Sequence, residues 1–174
     1  MTDHDIIASR AIAPLFYRAP HPETMKPAEY QHAGVEYALA RDHHIFGDAP
    51  GLGKTAECIL VGNGIAATHT LVVCPASLRL NWEREIWRWS TLENVTTYPV
   101  LKSSDGVSLD ANYVIISYAL LANPDIHAAL MDCRWDHVVL DEAHAMKDPR
   151  GNTRTKAICG WTDHGKYRPG LMDV

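Results

Sequence analysis

Three continuous apolar runs constrain the fold of this chain more than any other feature. They are Thr70–Cys74, Tyr113–Ser117 and His137–Leu140. Runs without polar alternation are typical of strands that are buried on both faces. After the first run, apolar residues follow at helical spacing: Leu78, Trp82, Ile86 and Trp89. The alternation of the two patterns predicts an α/β fold with a central, mostly parallel sheet covered on both faces.

Shorter patterns complete the predicted order of elements. Helices are predicted over residues 28–41, from Lys54 onward, over 77–89 and over 126–131, and further strands over 44–47 and 95–100. Three prolines and weak periodicity predict an irregular lead-in over residues 1–24, followed by one domain over 25–174. Periodicity is lost again from Gly160 onward, where no further element is predicted.

Composition narrows the class of protein. A chain of 174 residues with 47% hydrophobic residues has the size and core of one ordinary domain. Its net charge of −5 argues mildly against a dedicated nucleic-acid-binding domain, although a local basic strip stays possible. The four cysteines form no Cys-x-x-Cys pair, and no apolar run reaches membrane-spanning length. We expect a soluble, cytoplasmic protein that does not enter a membrane.

One segment carries the strongest chemical signal. It consists of Asp48, Ala49, Pro50, Gly51, Leu52, Gly53, Lys54 and Thr55. A predicted strand, a glycine-rich turn and a helix that opens with Lys-Thr are the context of a P-loop, which binds ATP phosphates through backbone N–H groups and a helix N-terminus. Lys54 is expected to reach the β- and γ-phosphates, and Thr55 to hold Mg²⁺. The strict pattern has glycine where Asp48 stands, so a glycine-rich turn that begins an ordinary helix is the alternative.

A second, acidic segment follows the apolar run that ends at Leu140. It consists of Asp141, Glu142, Ala143 and His144. The end of a parallel strand is where α/β proteins bind ligands, so Asp141 is expected to organise Mg²⁺ and Glu142 to orient or deprotonate the attacking water. The alternative for this segment is the acidic cap of a helix. His144 is expected either to couple the ATP site to a partner lobe or to make a local hydrogen bond.

Taken together, these motifs resemble helicase superfamily two, and more closely the Swi/Snf-type DNA translocases, in particular the branch of annealing helicases. The resemblance lies, in chain order, in residues 30–35, 48–55, 72–78, 81–82 with Glu85, 116–118, and 141–144 with Lys147. It implies a RecA-like three-layer sandwich, ATP and Mg²⁺ as cofactors, and duplex DNA as the partner of the full-length protein. In that family the loop commonly opens with aspartate and lacks the first glycine, as Asp48 does here.

The resemblance also implies roles for single residues. Gln31 is similar to the glutamine that recognises adenine, with a solvated helix residue as the alternative. DNA-backbone contacts are implied for Pro75, Ser77, Arg79, Ser117 and Tyr118. Ser77 could instead act as a helix N-cap. The helical spacing of Trp82 and Trp89 favours core packing over base stacking.

Two features of the family pattern are missing from this sequence. Neither a Ser/Thr-Gly-Thr-Pro motif nor a second RecA-like lobe with its arginine finger is found after residue 158. The resemblance therefore implies a lobe truncated before that motif, which binds nucleotide but hydrolyses little. Two alternatives stay open: a lobe of a DEAH-type RNA helicase, and a non-catalytic binding module.

Overall fold

The computed structural model describes residues 12–146, 153–164 and 166–173. The chain forms two compact units, one of residues 1–67 and 84–94 and the other of residues 68–83 and 95–174. Residues 84–94, which begin in the middle of a helix, therefore belong to the first unit although they lie in sequence between the two segments of the second unit.

In the first unit, two helices pack against each other. Helix α1 is Glu29–Leu39, and helix α2 is Lys54–Gly64. The buried face of α1 carries Val35 and Ala38, and that of α2 carries Ala56, Ile59 and Leu60, at the three-to-four-residue spacing of an amphipathic helix. Because an apolar stripe gains stability only against another element, the pair forms the core of this unit.

The strand predicted over residues 44–47 is not formed. These residues lie in irregular backbone, and the side chain of Ile45 is 90% exposed. Phe46 is half-buried, and its ring lies 3.3 Å from the point where a Cβ at Gly34 would stand. An apolar tetrapeptide becomes a strand only where a neighbouring strand accepts its backbone hydrogen bonds, and no described strand does so here.

The second unit is built on a four-stranded sheet whose pairs are all parallel. Its strands are β1 Thr70–Cys74, β2 Thr97–Pro99, β3 Tyr113–Ser117 and β4 His137–Leu140, in the spatial order β2-β3-β1-β4. All residues of β1 and β3 are buried, as their continuous apolar sequences predicted. The strand predicted over residues 95–100 is present in shortened form as β2.

Three helices lie in the connections between these strands: α3 Arg79–Trp89 between β1 and β2, and α4 Tyr118–Leu121 and α5 Pro124–Met131 between β3 and β4. A segment with a 3-10 turn, Ser103–Asp105, joins β2 to β3, and helix α6 Thr153–Cys159 follows β4. A 3-10 turn, Ala76–Leu78, precedes α3, so this helix begins two residues later than predicted. Helix α5 begins two residues earlier than predicted because Asn123 caps it and Pro124 occupies its first turn.

One apolar cluster forms the core of the second unit. It includes Leu71, Val73, Val114, Ile116, Tyr118, Leu121, Ile126, Leu130, Trp135 and Ile158. The residues come from β1, β3, α4, α5 and α6, together with Trp135, which lies two residues before β4. The cluster therefore packs the two central strands of the sheet, β1 and β3, against helices α4, α5 and α6.

The segment after Gly160, for which no element was predicted, forms a hairpin. Strands β5 Trp161–Asp163 and β6 Lys166–Arg168 pair in antiparallel register. Strands of three residues are too short to show a period, so the sequence carried no signal for them. None of the described helices has the length and apolar character needed to cross a bilayer. The cytoplasmic location stays a prediction.

Candidate functional site

The turn that precedes α2 depends on glycine at two positions. Gly51 and Gly53 have φ angles of 87° and 79°, which residues other than glycine rarely adopt. A Cβ added at Gly53 would also stand 2.7 Å from Nε2 of Gln31. Both backbone conformation and close packing therefore require Gly53, which is the last residue before the helix.

The exposed loop offers groups that suit a phosphate. Among the described residues, no hydrogen bond uses the backbone N–H of Gly51 or Gly53. Nζ of Lys54 donates to the backbone oxygens of Asp48 at 2.8 Å and Ala49 at 3.2 Å, so its charge stays over the loop. Unpaired amides at a helix N-terminus beside a lysine fit an oligophosphate.

Two side chains of α1 hold the back of this loop. The Tyr30 hydroxyl donates to the backbone oxygen of Leu52 at 2.9 Å. Nε2 of Gln31 lies 3.4 Å from the backbone oxygens of Leu52 and Gly53, while its Oε1 accepts from the N–H of Ala28 at 2.9 Å. Gln31 is only 7% exposed, so the solvated alternative is wrong. Recognition of adenine by Gln31 stays a prediction.

A buried carboxyl lies on the first turn of α2. Glu57 is fully buried, and neither of its carboxyl oxygens accepts a hydrogen bond in the described structure, although a protonated Glu57 can donate to the side chain of Asp48. Burial, and then the negative charge of Asp48, raise the pKa of Glu57 to about 8. The sequence interpretation did not single out this residue. Its place on the same apolar helix face as Leu60 was the signal that could have found it.

Asp141 lies at the carboxyl end of β4, as the acidic motif predicted. Its backbone N–H donates to the backbone oxygen of Val73 at 2.8 Å, and its backbone oxygen accepts from the Tyr118 hydroxyl at 2.7 Å. Its Oδ2 accepts from the indole Nε1 of Trp82 at 2.8 Å. The residue is thus held at three points, and the sheet brings the ends of β1, β3 and β4 to the same edge.

The negative charge of Asp141 raises the pKa of two neighbouring side chains. Burial, and then the carboxylate of Asp141, raise the pKa of the Cys74 thiol to about 12. The same two causes raise the pKa of the Tyr118 phenol well above its usual value. Both groups therefore stay protonated at neutral pH, and Tyr118 acts as a hydrogen-bond donor. This edge of the sheet has negative charge, which suits a cation.

Glu142 has an uncommon backbone conformation. Its φ is 51°, in the left-handed region that a glutamate seldom occupies. Its Oε2 lies 3.0 Å from Nδ1 of His144, and both side chains are more than half exposed. The segment leads into a 3-10 turn, Ala143–Met146, rather than the α-helix of the capping alternative. His144 makes the local contact, while coupling to a partner lobe stays a prediction.

The residues with implied DNA contacts fall into two groups. Ser117 and Tyr118 are 3% exposed; the hydroxyl of Ser117 accepts from the N–H of Leu120, and that of Tyr118 binds Asp141. Ser77 and Ala76 are exposed, and Ser77 lies inside the 3-10 turn, so it is not the N-cap of α3. Arg79 donates to the backbone oxygens of Ala76, Val100 and Leu101.

Burial agrees with the prediction of core packing for two tryptophans. Trp82 is 2% exposed and Trp89 is 9% exposed, whereas Trp87, at 57%, lies on the surface. What the sequence interpretation missed is the polar end of Trp82. Helical spacing predicts which ring is buried, but it does not tell which acceptor the indole N–H will reach.

The chain is similar to several proteins of known family. The model of the SNF2-related domain matches residues 30–164. A DNA excision repair protein ERCC-6-like from Danio rerio is 31% identical over 147 residues, which are 74% of this chain and 10% of the relative. Helicase swr1 from Aspergillus fumigatus is 35% identical over 138 residues, 70% of this chain and 8% of the relative. Protein CHROMATIN REMODELING 19 from Arabidopsis thaliana is 31% identical over 150 residues, which are 71% of this chain and 19% of the relative.

One solved structure shares both sequence and fold. The Sulfolobus solfataricus SWI2/SNF2 ATPase core in complex with dsDNA is 25% identical, with a TM-score of 0.64 over 79% of this chain and 31% of that chain. The predicted α/β fold with a parallel sheet is confirmed. This chain spans less than a fifth of the length of the three relatives above. On a match that extends over most of its residues, the chain belongs to the family of proteins with an SNF2-related domain.

Proposed function

We propose that residues 25–174 form the ATP-binding lobe of a DNA-dependent ATPase that couples ATP hydrolysis to translocation on duplex DNA. The observation that carries the proposal is the loop before α2, with its unpaired amides and its lysine, in a chain of the SNF2-related family. A DEAH-type RNA helicase shares the acidic tetrapeptide, but the family match favours the SNF2 assignment.

Each polar group of the two motifs has a role in this proposal. The loop of residues 48–53, through backbone N–H groups such as those of Gly51 and Gly53, binds the phosphates together with the Lys54 ammonium, and Gln31 recognises the adenine. The Thr55 hydroxyl and the Asp141 carboxylate are hard oxygen donors, which Mg²⁺ prefers, so they hold the metal ion. Bound Mg²⁺ neutralises charge on the phosphates. Glu142 orients the attacking water or accepts its proton.

Hydrolysis requires more than these residues. The chain matches 31% of the Sulfolobus ATPase core, and we propose that a second RecA-like lobe, which these 174 residues do not contain, supplies the catalytic arginines. Duplex DNA is the proposed partner of the whole protein, because that ATPase core is seen with dsDNA. Ser77 is the exposed candidate for a phosphate contact, Pro75 and Arg79 are half-buried candidates, and the proposed contacts of Ser117 and Tyr118 involve residues that are buried in this structure.

Calorimetry of Mg·ATP binding tests the proposal directly. We expect weak binding by the chain and a decrease of about 10- to 100-fold in affinity for Lys54→Ala, because a hydrogen bond to a charged group contributes roughly 1.5–3 kcal/mol. The control is Lys26→Ala, which removes an exposed lysine outside the loop and should leave binding unchanged. Equal binding by wild type and Lys54→Ala, with both proteins folded by their melting curves, would contradict the phosphate role.

A further inference from the structure

Trp82 combines a buried ring with a directed polar group. The ring is 2% exposed, and its only donor, the indole N–H, points at Oδ2 of Asp141 over 2.8 Å. Because water has little access to this indole, Asp141 is the acceptor that keeps the buried N–H satisfied. The contact thus satisfies the buried indole N–H and gives the carboxylate a hydrogen-bond donor. It joins two segments that are 59 residues apart in sequence.

The other bonds of Asp141 hold its backbone. Its N–H is bonded to Val73, and its carbonyl oxygen to Tyr118. Neither bond acts on the carboxylate, which could still rotate about its side-chain torsions. The bond from Trp82 is the one described hydrogen bond that reaches a carboxylate oxygen of Asp141, and no described bond engages Oδ1. The hydrogen bond from the indole therefore sets the orientation of this carboxylate.

We propose that Trp82 is a positioning residue for Asp141, whose indole N–H fixes Oδ2 so that Oδ1 is left for the metal ion of bound Mg·ATP. The inference rests on the proposed function, in which Asp141 holds Mg²⁺. Metal-binding side chains are commonly oriented by hydrogen bonds from outside the coordination sphere, and loss of such a bond typically lowers metal affinity by about 10- to 100-fold. Trp82 acts through Asp141 and contacts neither metal nor nucleotide.

Helix α3 offers a matched control. The indole N–H of Trp89 also donates to a carboxylate, Oε2 of Glu85, at 3.0 Å, and its ring is 9% exposed. Trp82→Phe and Trp89→Phe therefore remove the same chemical group from the same helix, each from a buried ring. Only the first removal affects Asp141, so packing losses should be shared by the two variants and a metal effect should not.

The experiment is calorimetric titration of the whole chain with ATP, in excess Mg²⁺ and in EDTA. For Trp82→Phe we expect the gain in affinity that Mg²⁺ provides to decrease about tenfold, with unchanged affinity in EDTA. Trp89→Phe should keep the wild-type gain. If Trp82→Phe keeps it as well, the inference is wrong and the proposed function stands. If folded wild type gains nothing from Mg²⁺, the proposed metal role of Asp141 fails, and the inference with it.

A second measurement covers the case in which Trp82→Phe does not fold. In wild-type chain labelled with ¹⁵N, the assigned indole signal of Trp82 should move when Mg²⁺ is added to the ATP-bound protein, because its acceptor then shares charge with the metal. The signal of Trp89 should stay in place. A Trp82 signal that does not move, under conditions where Mg²⁺ strengthens ATP binding, would overturn the inference.

Discussion

Glu57 shows how one residue can oppose the stability of the fold that buries it. Its buried carboxyl lies within the first unit and accepts no described hydrogen bond, and its pKa is raised to about 8, first by burial and then by the charge of Asp48 and a hydrogen bond to that side chain. The folded state therefore keeps a proton that the unfolded chain releases above its ordinary pKa of 4.5. Between these two values the free energy of unfolding decreases as pH rises, and above about pH 8 it no longer changes from this cause.

We predict that Glu57→Gln removes this dependence. At pH 9 the variant should be more stable than wild type by on the order of a few kcal/mol, because the raised pKa means that wild type must bury an ionised carboxylate there, at about 1.4 kcal/mol for each pH unit between the unfolded and folded pKa, and near pH 4 the two should be close. Thermal melting of the nucleotide-free chain across this range measures the difference. Glu23→Gln, at an exposed position, is the control and should follow wild type. A constant difference at all pH values would contradict the assigned pKa.

At the scale of elements, hydrogen bonds at the starts of two adjacent strands support the register that places Asp141 at the other end of the sheet. Oδ2 of Asp136, just before β4, accepts from the N–H of Thr68 at 2.9 Å and of His69 at 3.0 Å, just before β1. These bonds hold the starts of two adjacent strands together. Their far ends carry Asp141 and Cys74. The register at one edge of the sheet is thus supported by an exposed aspartate at the other.

We predict that Asp136→Ala lowers the free energy of unfolding by about 1 kcal/mol, the usual contribution of a hydrogen bond. The N–H groups of Thr68 and His69 hold the pKa of Asp136 below its ordinary value. The contribution is therefore present above the ordinary pKa and is lost as pH falls through the lower, folded value. Urea unfolding at neutral pH and near pH 3 should show the difference between wild type and variant shrinking in acid. Asp110→Ala, at an exposed turn, should have no such effect.

At the scale of the whole molecule, the proposed function assigns nucleotide binding to the two motifs within these 174 residues and the catalytic arginines to a second lobe. An arginine finger raises phosphoryl-transfer rates by about 10³- to 10⁵-fold. Binding and turnover are therefore expected to be separate properties here, the first present in the chain and the second dependent on another lobe.

We predict that the purified chain hydrolyses ATP at least about a thousandfold more slowly than the roughly 10 s⁻¹ of a typical enzyme. Phosphate release under saturating Mg·ATP measures it, with Glu142→Gln as the background control. Turnover near the typical value that Glu142→Gln abolishes would show that the second lobe is unnecessary. A residual rate equal in both proteins would be contamination or uncatalysed hydrolysis.

Prediction from sequence succeeded where a pattern has one physical meaning. Continuous apolar runs became buried parallel strands, and the residues before α2 form a turn that only glycine accommodates at Gly53. It failed for residues 44–47, because apolar character alone does not provide a neighbouring strand. It also missed the hairpin after Gly160, whose strands are too short to show a period.

The sequence by itself determined the order of the buried parallel strands, the family and the residue types of the two motifs, since periodicity and motif spacing are local properties of the chain. Tertiary structure alone decided that Glu57 is buried where its carboxylate accepts no hydrogen bond, and that the hydroxyl of Tyr118 and the indole of Trp82 meet at Asp141. The direction of a side chain depends on which acceptor the fold brings within about 3 Å. No local pattern contains that information, because the partners are 23 and 59 residues apart.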